Sequence, residues 1–202
     1  MLTAPVSFGT RRLAPALAEF LRLYPDVNVV LSLSDRVADL IEEGLEAAIR
    51  IGILADSRLV ARRPLPYRSL LYASPEYVRS RGQPKTPNDL AAHDCLGFSY
   101  AAPRSRWRLS RGGEEKTVNF MPRLLASNGE PLRQAALAGL GILSQPEIPL
   151  AEDLKQRRLV RVLPTWSVPT RPMHVVYVAD RQATPKLQCF IAFIVKRFGS
   201  DV

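Results

Sequence analysis

Ala4-Pro5-Val6-Ser7-Phe8-Gly9, continued by the run from Thr10 to Tyr24, decides how this chain folds. Leu2, Ala4 and Val6 fit a short extended segment, and Gly9 loosens the backbone behind it. Ser7 or Thr10 can then cap a helix by accepting from its free N–H groups. Leu13, Leu17, Phe20 and Leu21 recur at three- and four-residue steps, one apolar helix face. Pro15 fits such a helix only in its first turn, where a missing N–H costs little. A strand, a tight turn and a helix in this order leave hydroxyls and N–H groups at the positive end of the helix. That end suits an anion or a polar ligand.

Working outward, the stretch from Val27 to Ser34 alternates and is rich in β-branched residues, so it reads as a strand after the break at Pro25-Asp26. Asp35 starts a helix through Val37, Leu40 and Ile41 that stops at Gly44. Ala47 to Gly52 is a nearly continuous apolar strand of the kind buried in a parallel sheet. Strand, helix, strand, helix, strand makes an α/β fold with right-handed crossovers. Two further strands, Leu59 to Leu65 and Arg68 to Ala73, are split by Pro64 and Pro66.

Beyond Ser74-Pro75 the composition changes. Short strands are expected around 95–98, 107–110, 118–120 and 123–125, with Gly112-Gly113 turning a hairpin. Ser127-Asn128-Gly129-Glu130-Pro131 is capping chemistry for a helix that runs to Ala138. A strand ending at Pro146, a helix over 151–156, strands over 159–163 and 173–178 and a last helix over 186–198 complete the order. This describes two α/β lobes. Residues 1–67 and 168–202 form lobe I and residues 68–167 form lobe II, with crossings near Tyr67–Ala73 and Leu163–Pro172.

The chain has 202 residues, 47% of them hydrophobic, which supports one domain or two small lobes with ample core. No apolar run approaches the roughly 18–20 residues that span a bilayer, and the first residues lack the pattern of a secretory leader. Cys95 and Cys189 read as free thiols of a reducing, cytoplasmic compartment rather than a disulfide. The net charge of +9 is carried mostly by arginine, in clusters at Arg11-Arg12, Arg62-Arg63, Arg104 to Arg111 and Arg157 to Arg161. Such clusters serve either as a solvated basic surface or as a surface for anions and partners. A nucleic-acid face has no helix-turn-helix, zinc or RNA-binding signature to accompany it.

Several stretches, in order, resemble LysR-type transcriptional regulators. They include Ala4–Gly9, Leu13–Leu21, Tyr24-Pro-Asp-Val27, Leu31-Ser-Leu-Ser-Asp-Arg36, Asp39-Leu-Ile-Glu-Glu-Gly44 and Ala48-Ile-Arg-Ile-Gly52. Ala73-Ser-Pro-Glu-Tyr77, His93-Asp-Cys95, Ala136-Ala-Leu-Ala-Gly-Leu-Gly-Ile142 and the tail from Pro185 to Phe198 continue the likeness. It covers only the effector-binding module of that family, so the winged helix-turn-helix is expected to lie outside this chain, which reads as cut at a domain boundary.

The resemblance implies a type 2 periplasmic-binding-protein fold, two α/β lobes with an effector cleft at the crossings. It implies a small polar or anionic effector held by Ser7, Phe8, Ser34, Arg50 and Gly52 from one lobe and Phe98, Ser99, Asn128 and Gln145 from the other, with Gly129 and Tyr100 beside them. Each has a plainer reading: the serines as helix caps, Phe98 as core, Arg50 as a surface ion pair. The resemblance also implies a homodimer, here through the outer face of Ala16, Glu19 and Leu23 and the strand carrying Val29 and Leu31, with DNA bound only by the missing domain. Two departures stand out. Arg58 follows Asp56-Ser57 where relatives have a small polar residue, and Leu143-Ser144-Gln145-Pro146 is polar where relatives often have aliphatics.

Enzymatic chemistry finds no support. There are two histidines, no Gly-x-Ser-x-Gly elbow and no base near Ser7 in sequence. His93-Asp94-Cys95 cannot easily ligate one metal ion, and no nucleotide fingerprint is present. No enzyme, metal or cofactor is expected. The rival reading is a solute-binding protein of a transport system, which shares the fold and would carry a signal peptide or lipid anchor.

Overall fold

The computed structural model describes residues 1–36, 39–52, 59–99, 105–169, 171–178 and 184–199, with side chains for all of these but 59–66 and 171. Val37, Asp56-Ser57-Arg58, Tyr100 and Arg104 lie outside the described residues. The first elements are β1 (Leu2–Ala4), α1 (Val6–Phe8), a π-helical turn (Gly9–Leu13), α2 (Ala14–Leu23), β2 (Leu31–Leu33), β3 (Ala47–Ile51) and β4 (Leu59–Tyr67). Then come β5 (Ser69–Ala73), α3 (Pro75–Arg81), a 3-10 segment (Pro87–Ala92), β6 (Leu96–Phe98), β7 (Ser105–Arg111), β8 (Glu114–Phe120) and β9 (Leu124–Ala126). The chain closes with α4 (Gly129–Leu137), β10 (Leu143–Pro146), α5 (Glu147–Lys155), β11 (Val160–Val162), β12 (Arg171–Val178) and α6 (Pro185–Phe198). They form two compact units, Met1–Tyr67 with Arg171–Val202, and Arg68–Thr170.

The first unit is built on a five-stranded sheet of order β2-β1-β3-β12-β4. β1 is parallel to β2 and β3, and β12 runs antiparallel to β3 and β4. The break between β4 and β5 falls at Arg68 and not at Pro64 and Pro66. Both prolines sit inside β4, which is an edge strand, where a missing N–H costs no ladder bond on the open side. The helix opposite begins at Val6, not at Thr10. Its N-cap is Pro5, and neither Ser7 nor Thr10 caps it. Asp35, arriving from the end of β2, does so instead: its Oδ1 accepts from the Val6 N–H at 2.8 Å.

Pro15 then falls inside a continuous helical run. The π-helical turn, in which the Ala14 N–H donates to the Gly9 carbonyl, precedes it and widens the backbone where the proline ring would meet a carbonyl one turn back. Gly9 is needed for space rather than freedom. Its φ is an ordinary −56°, but a Cβ there would lie 2.1 Å from Leu33 Cδ2 of β2. Phe8, Leu13, Leu17 and Phe20 fill the core, with Phe8 edge-on to Phe198 and Phe20 edge-on to Phe190 of α6. The described part of the expected second helix is a turn. Asp39 Oδ1 accepts from Ile41 and Glu42 N–H, and Gly44 has φ +64°.

The second unit repeats the strand order without repeating the sequence. β6 is parallel to β9 and meets the start of β10 through a parallel bridge, Cys95–Ile142. β5 runs antiparallel to β10 and β11. The order β9-β6-β10-β5-β11 thus matches β2-β1-β3-β12-β4 in direction, strand for strand. Both faces of β5 are covered. Leu71 and Ala73 join Tyr77, Leu90 and Trp107, while Leu70 and Tyr72 join Leu96, Leu132 and Leu143. Gly141 lets the bridge form, since a Cβ there would stand 2.2 Å from the Asp94 carbonyl oxygen. The hairpin β7–β8 turns through Gly112 and Gly113, both at positive φ, as a two-residue loop requires.

Candidate functional site

In the first unit, parallel strands β1, β2 and β3 all end on one side, and ligands of open α/β sheets bind beyond such ends. Ser7 follows β1, Ser34 follows β2 and Gly52 follows β3. The Ser34 N–H donates to the Ala4 carbonyl at 3.0 Å, which ties the first two ends together. Ser34 Oγ accepts from the Arg36 N–H at 3.1 Å, so the hydroxyl turns its own loop while keeping its proton to give. Ser7 Oγ is buried and has no hydrogen-bond partner among the described residues. Gly52 has φ +109°, a conformation that favours glycine, and the space where its Cβ would be is open. Arg50, half-buried on β3, lies opposite His174 of β12.

Phe8 is different. It is 0% exposed and packed edge-on to Phe198 in the core, so it offers no side chain to a ligand. The first turn of α1 is also less open to an anion than the sequence implies. Pro5 has no N–H and the Val6 N–H is held by the Asp35 carboxylate, which occupies the place an outside anion would take. Burial, with Asp35 nearby, pushes the Tyr67 hydroxyl well above its ordinary pKa, so it stays a protonated donor.

The second unit gathers the equivalent positions. Ser99 follows β6, and its N–H donates to the Ala126 carbonyl at the end of β9 at 2.9 Å. Asn128 follows β9 and caps α4, its Oδ1 accepting from the Glu130 N–H at 3.1 Å. Gln145, in β10, is 2% exposed and its Nε2 donates to the Gly129 carbonyl at 2.5 Å. Phe98 packs half-buried on the cluster of Leu70, Leu96 and Leu132. Ser99, Asn128, Gly129 and Gln145 therefore meet at one end of one sheet. Sequence reasoning names these positions but misses Asp35. The available signal is an acidic residue two positions after the end of a parallel strand.

The surface residues divide. Ala16 is 2% exposed and faces the core, a correction to its placing on the outer face of α2. Glu19 is exposed and pairs with Arg197 at 3.4 Å, Leu23 is 66% exposed, and Val29 and Leu31 are half-buried beside the open edge of β2. Among the described residues no helix is long and apolar enough to cross a membrane.

A sequence profile described as the LysR substrate binding domain matches residues 1–199. The chain is 33% identical over 191 residues to the HTH-type transcriptional regulator CrgA of Neisseria meningitidis, covering 94% of this chain and 64% of that protein. It is 32% identical to an HTH-type transcriptional repressor of Pseudomonas aeruginosa, covering 94% of this chain and 60% of the relative. The chain thus spans about three-fifths of the length of the curated relatives it matches. Among solved structures, the CrgA regulatory domain superposes with a TM-score of 0.87 at 32% identity, covering 98% of this chain and 97% of the other. The full-length Vibrio cholerae virulence activator AphB gives 0.85 at 30% identity, covering 98% of this chain and 67% of the other.

Proposed function

The chain belongs to the LysR substrate-binding domain family, and from that premise we propose that it senses a small polar effector on behalf of a LysR-type transcriptional regulator. The ligand-reading groups are the strand ends of each unit: Ser7, Ser34 and Gly52 in one, Ser99, Asn128 and Gln145 in the other. The observation that carries this reading is the recurrence of the same strand order in both units with polar side chains at the same ends, where Ser7 Oγ and Gln145 Oε1 lack partners among the described residues. Effector occupancy biases the chain between two conformations, and only by the difference in affinity for them. The role is regulatory and not catalytic, and DNA is held by domains outside this chain.

A thermal-shift screen of small metabolites tests the reading, because a ligand that binds only the folded state raises its stability. For a compound found this way, Ser34→Ala weakens binding by about tenfold, the loss of one hydrogen bond, without unfolding the chain. Unchanged affinity by calorimetry counts against Ser34. A second copy of the chain pairs through the open edge of β2 with Glu19 and Leu23. Sedimentation showing only monomer at tens of micromolar, roughly the range of a weak interface, counts against the dimer.

A further inference from the structure

The amide of Gln145 is fixed at one end and free at the other. Gly129 O can only accept, so the nitrogen must face it, and the carbonyl Oε1 must point away. The two ends of an amide are about 2.2 Å apart, so Oε1 lies close to the first residue of α4. Gln145 is 2% exposed, and Oε1 has no hydrogen-bond partner among the described residues. A buried acceptor without a donor is costly, and native folds keep few of them.

The second and third residues of the helix beside it offer no N–H to an anion. The Glu130 N–H is taken by Asn128 Oδ1 and Pro131 has no N–H. The Glu130 carboxylate sits in the first turn, 3.0 Å from Arg133 Nη1. In the first unit the first N–H of α1, that of Val6, is likewise held within the chain, by Asp35. Helix starts of this kind draw anions through unpaired N–H groups, and at each of these two starts the chain itself takes one of them.

We infer that Gln145 reads a hydrogen-bond donor on the effector, and that the effector class is a neutral small molecule bearing N–H or O–H groups, an amide or hydroxyl compound, rather than a carboxylate or phosphate. This rests on the reading of the chain as an effector domain. Gln145 then sets specificity, because an analogue without the donor leaves a buried acceptor unpaired, the situation in which binding sites discriminate most strongly.

The test uses matched small probes of the forms R–CONH2, R–CON(CH3)2 and R–COO⁻, with R ranging from methyl to phenyl, screened by thermal shift and then calorimetry on the wild-type chain and on Gln145→Leu. At least one primary amide binds wild type about tenfold or more tighter than its dimethyl and carboxylate partners, the worth of one hydrogen bond with a penalty for its loss, and Gln145→Leu levels the three. Carboxylates binding best, or a preference for the amide that survives Gln145→Leu, overturns the inference and leaves the effector reading standing. No probe of any form binding at about 10 mM, where even a weak ligand registers, overturns both. If Gln145→Leu does not fold, Gln145→Met takes its place, and the wild-type order of amide over carboxylate is decisive by itself.

Discussion

Replacing Asp153 with alanine should cost the second unit more than any exposed charge removal in the chain. Asp153 is 0% exposed on α5 and accepts from Arg133 Nε at 2.5 Å and Arg133 Nη2 at 2.6 Å, with Arg158 Nη2 also at 2.6 Å. Arg133, on α4, has a side chain only 5% exposed. Asp153→Ala strands that guanidinium in the core with Glu130 as its remaining carboxylate. Breaking a buried pair from one side costs about 3–5 kcal/mol. Arg158 is 49% exposed, so Arg158→Ala removes a solvent-screened arm worth less than about 1 kcal/mol.

Trp107 and Trp166 are the chain's two tryptophans and both belong to the second unit, so their fluorescence follows its unfolding. With a urea slope of about 1–3 kcal/mol per molar, the Asp153→Ala midpoint falls by at least about 1 M. The pair Arg133→Met with Asp153→Leu recovers most of it, since an apolar replacement of both partners is often neutral. Equal midpoints for Asp153→Ala and Arg158→Ala would refute the reasoning.

Three more outcomes follow from the packing and the charges. Gly141→Ala drives a Cβ to within 2.2 Å of a backbone oxygen, so it lowers stability by about 1–3 kcal/mol or more; Gly9→Ala, which meets only the tip of Leu33, costs less, and calorimetry on the two variants checks the order. Burial, aided by Arg81 and opposed by Asp89 and Asp94, holds His93 below its ordinary 6.5 beside Tyr77 Oη. The unfolded chain then binds the proton first, so stability is full above about pH 6.5, falls as the pH drops toward the folded value, and levels off below it; His93→Gln flattens that window in urea titrations, and an unchanged pH profile speaks against it. Asp35→Ala loses the cap on Val6, about 0.5–2 kcal/mol, and frees its N–H, so sulfate stabilises the variant more than the wild type; an equal sulfate effect on both contradicts the cap.

The alternation of apolar runs with turn residues is enough to read an α/β chain, because β3 and the face of Leu13, Leu17 and Phe20 keep clean periods. The first helix start is misread from sequence for a physical reason. Pro5 and Gly9 look like turn punctuation locally, yet Pro5 is an N-cap, and Gly9 is helical and leaves the space that Leu33 fills. The capping carboxylate comes from Asp35, 29 residues along the chain, and no local rule reaches that far. Ala16 reads as outward-facing because its size carries no hydrophobic signal, although it shares the buried face with Leu17 and Phe20. Gln145 stands out in sequence as polar among aliphatics, but its bond to Gly129, 16 residues away, emerges only once β10 lies beside the start of α4. The matching strand orders of the two units are invisible in sequence, since α1 and α2 follow β1 in one unit and the hairpin β7–β8 follows its counterpart β6 in the other.

Amide hydrogen exchange with and without the tightest-binding probe tests the central claim most directly, since it locates the ligand on the whole chain. Exchange should slow at residues 6–8, 34–36 and 52 of the first unit and at 98–99, 128–130 and 145 of the second. Protection confined to other surfaces, such as the β7–β8 hairpin or the outer face of α6, would contradict it.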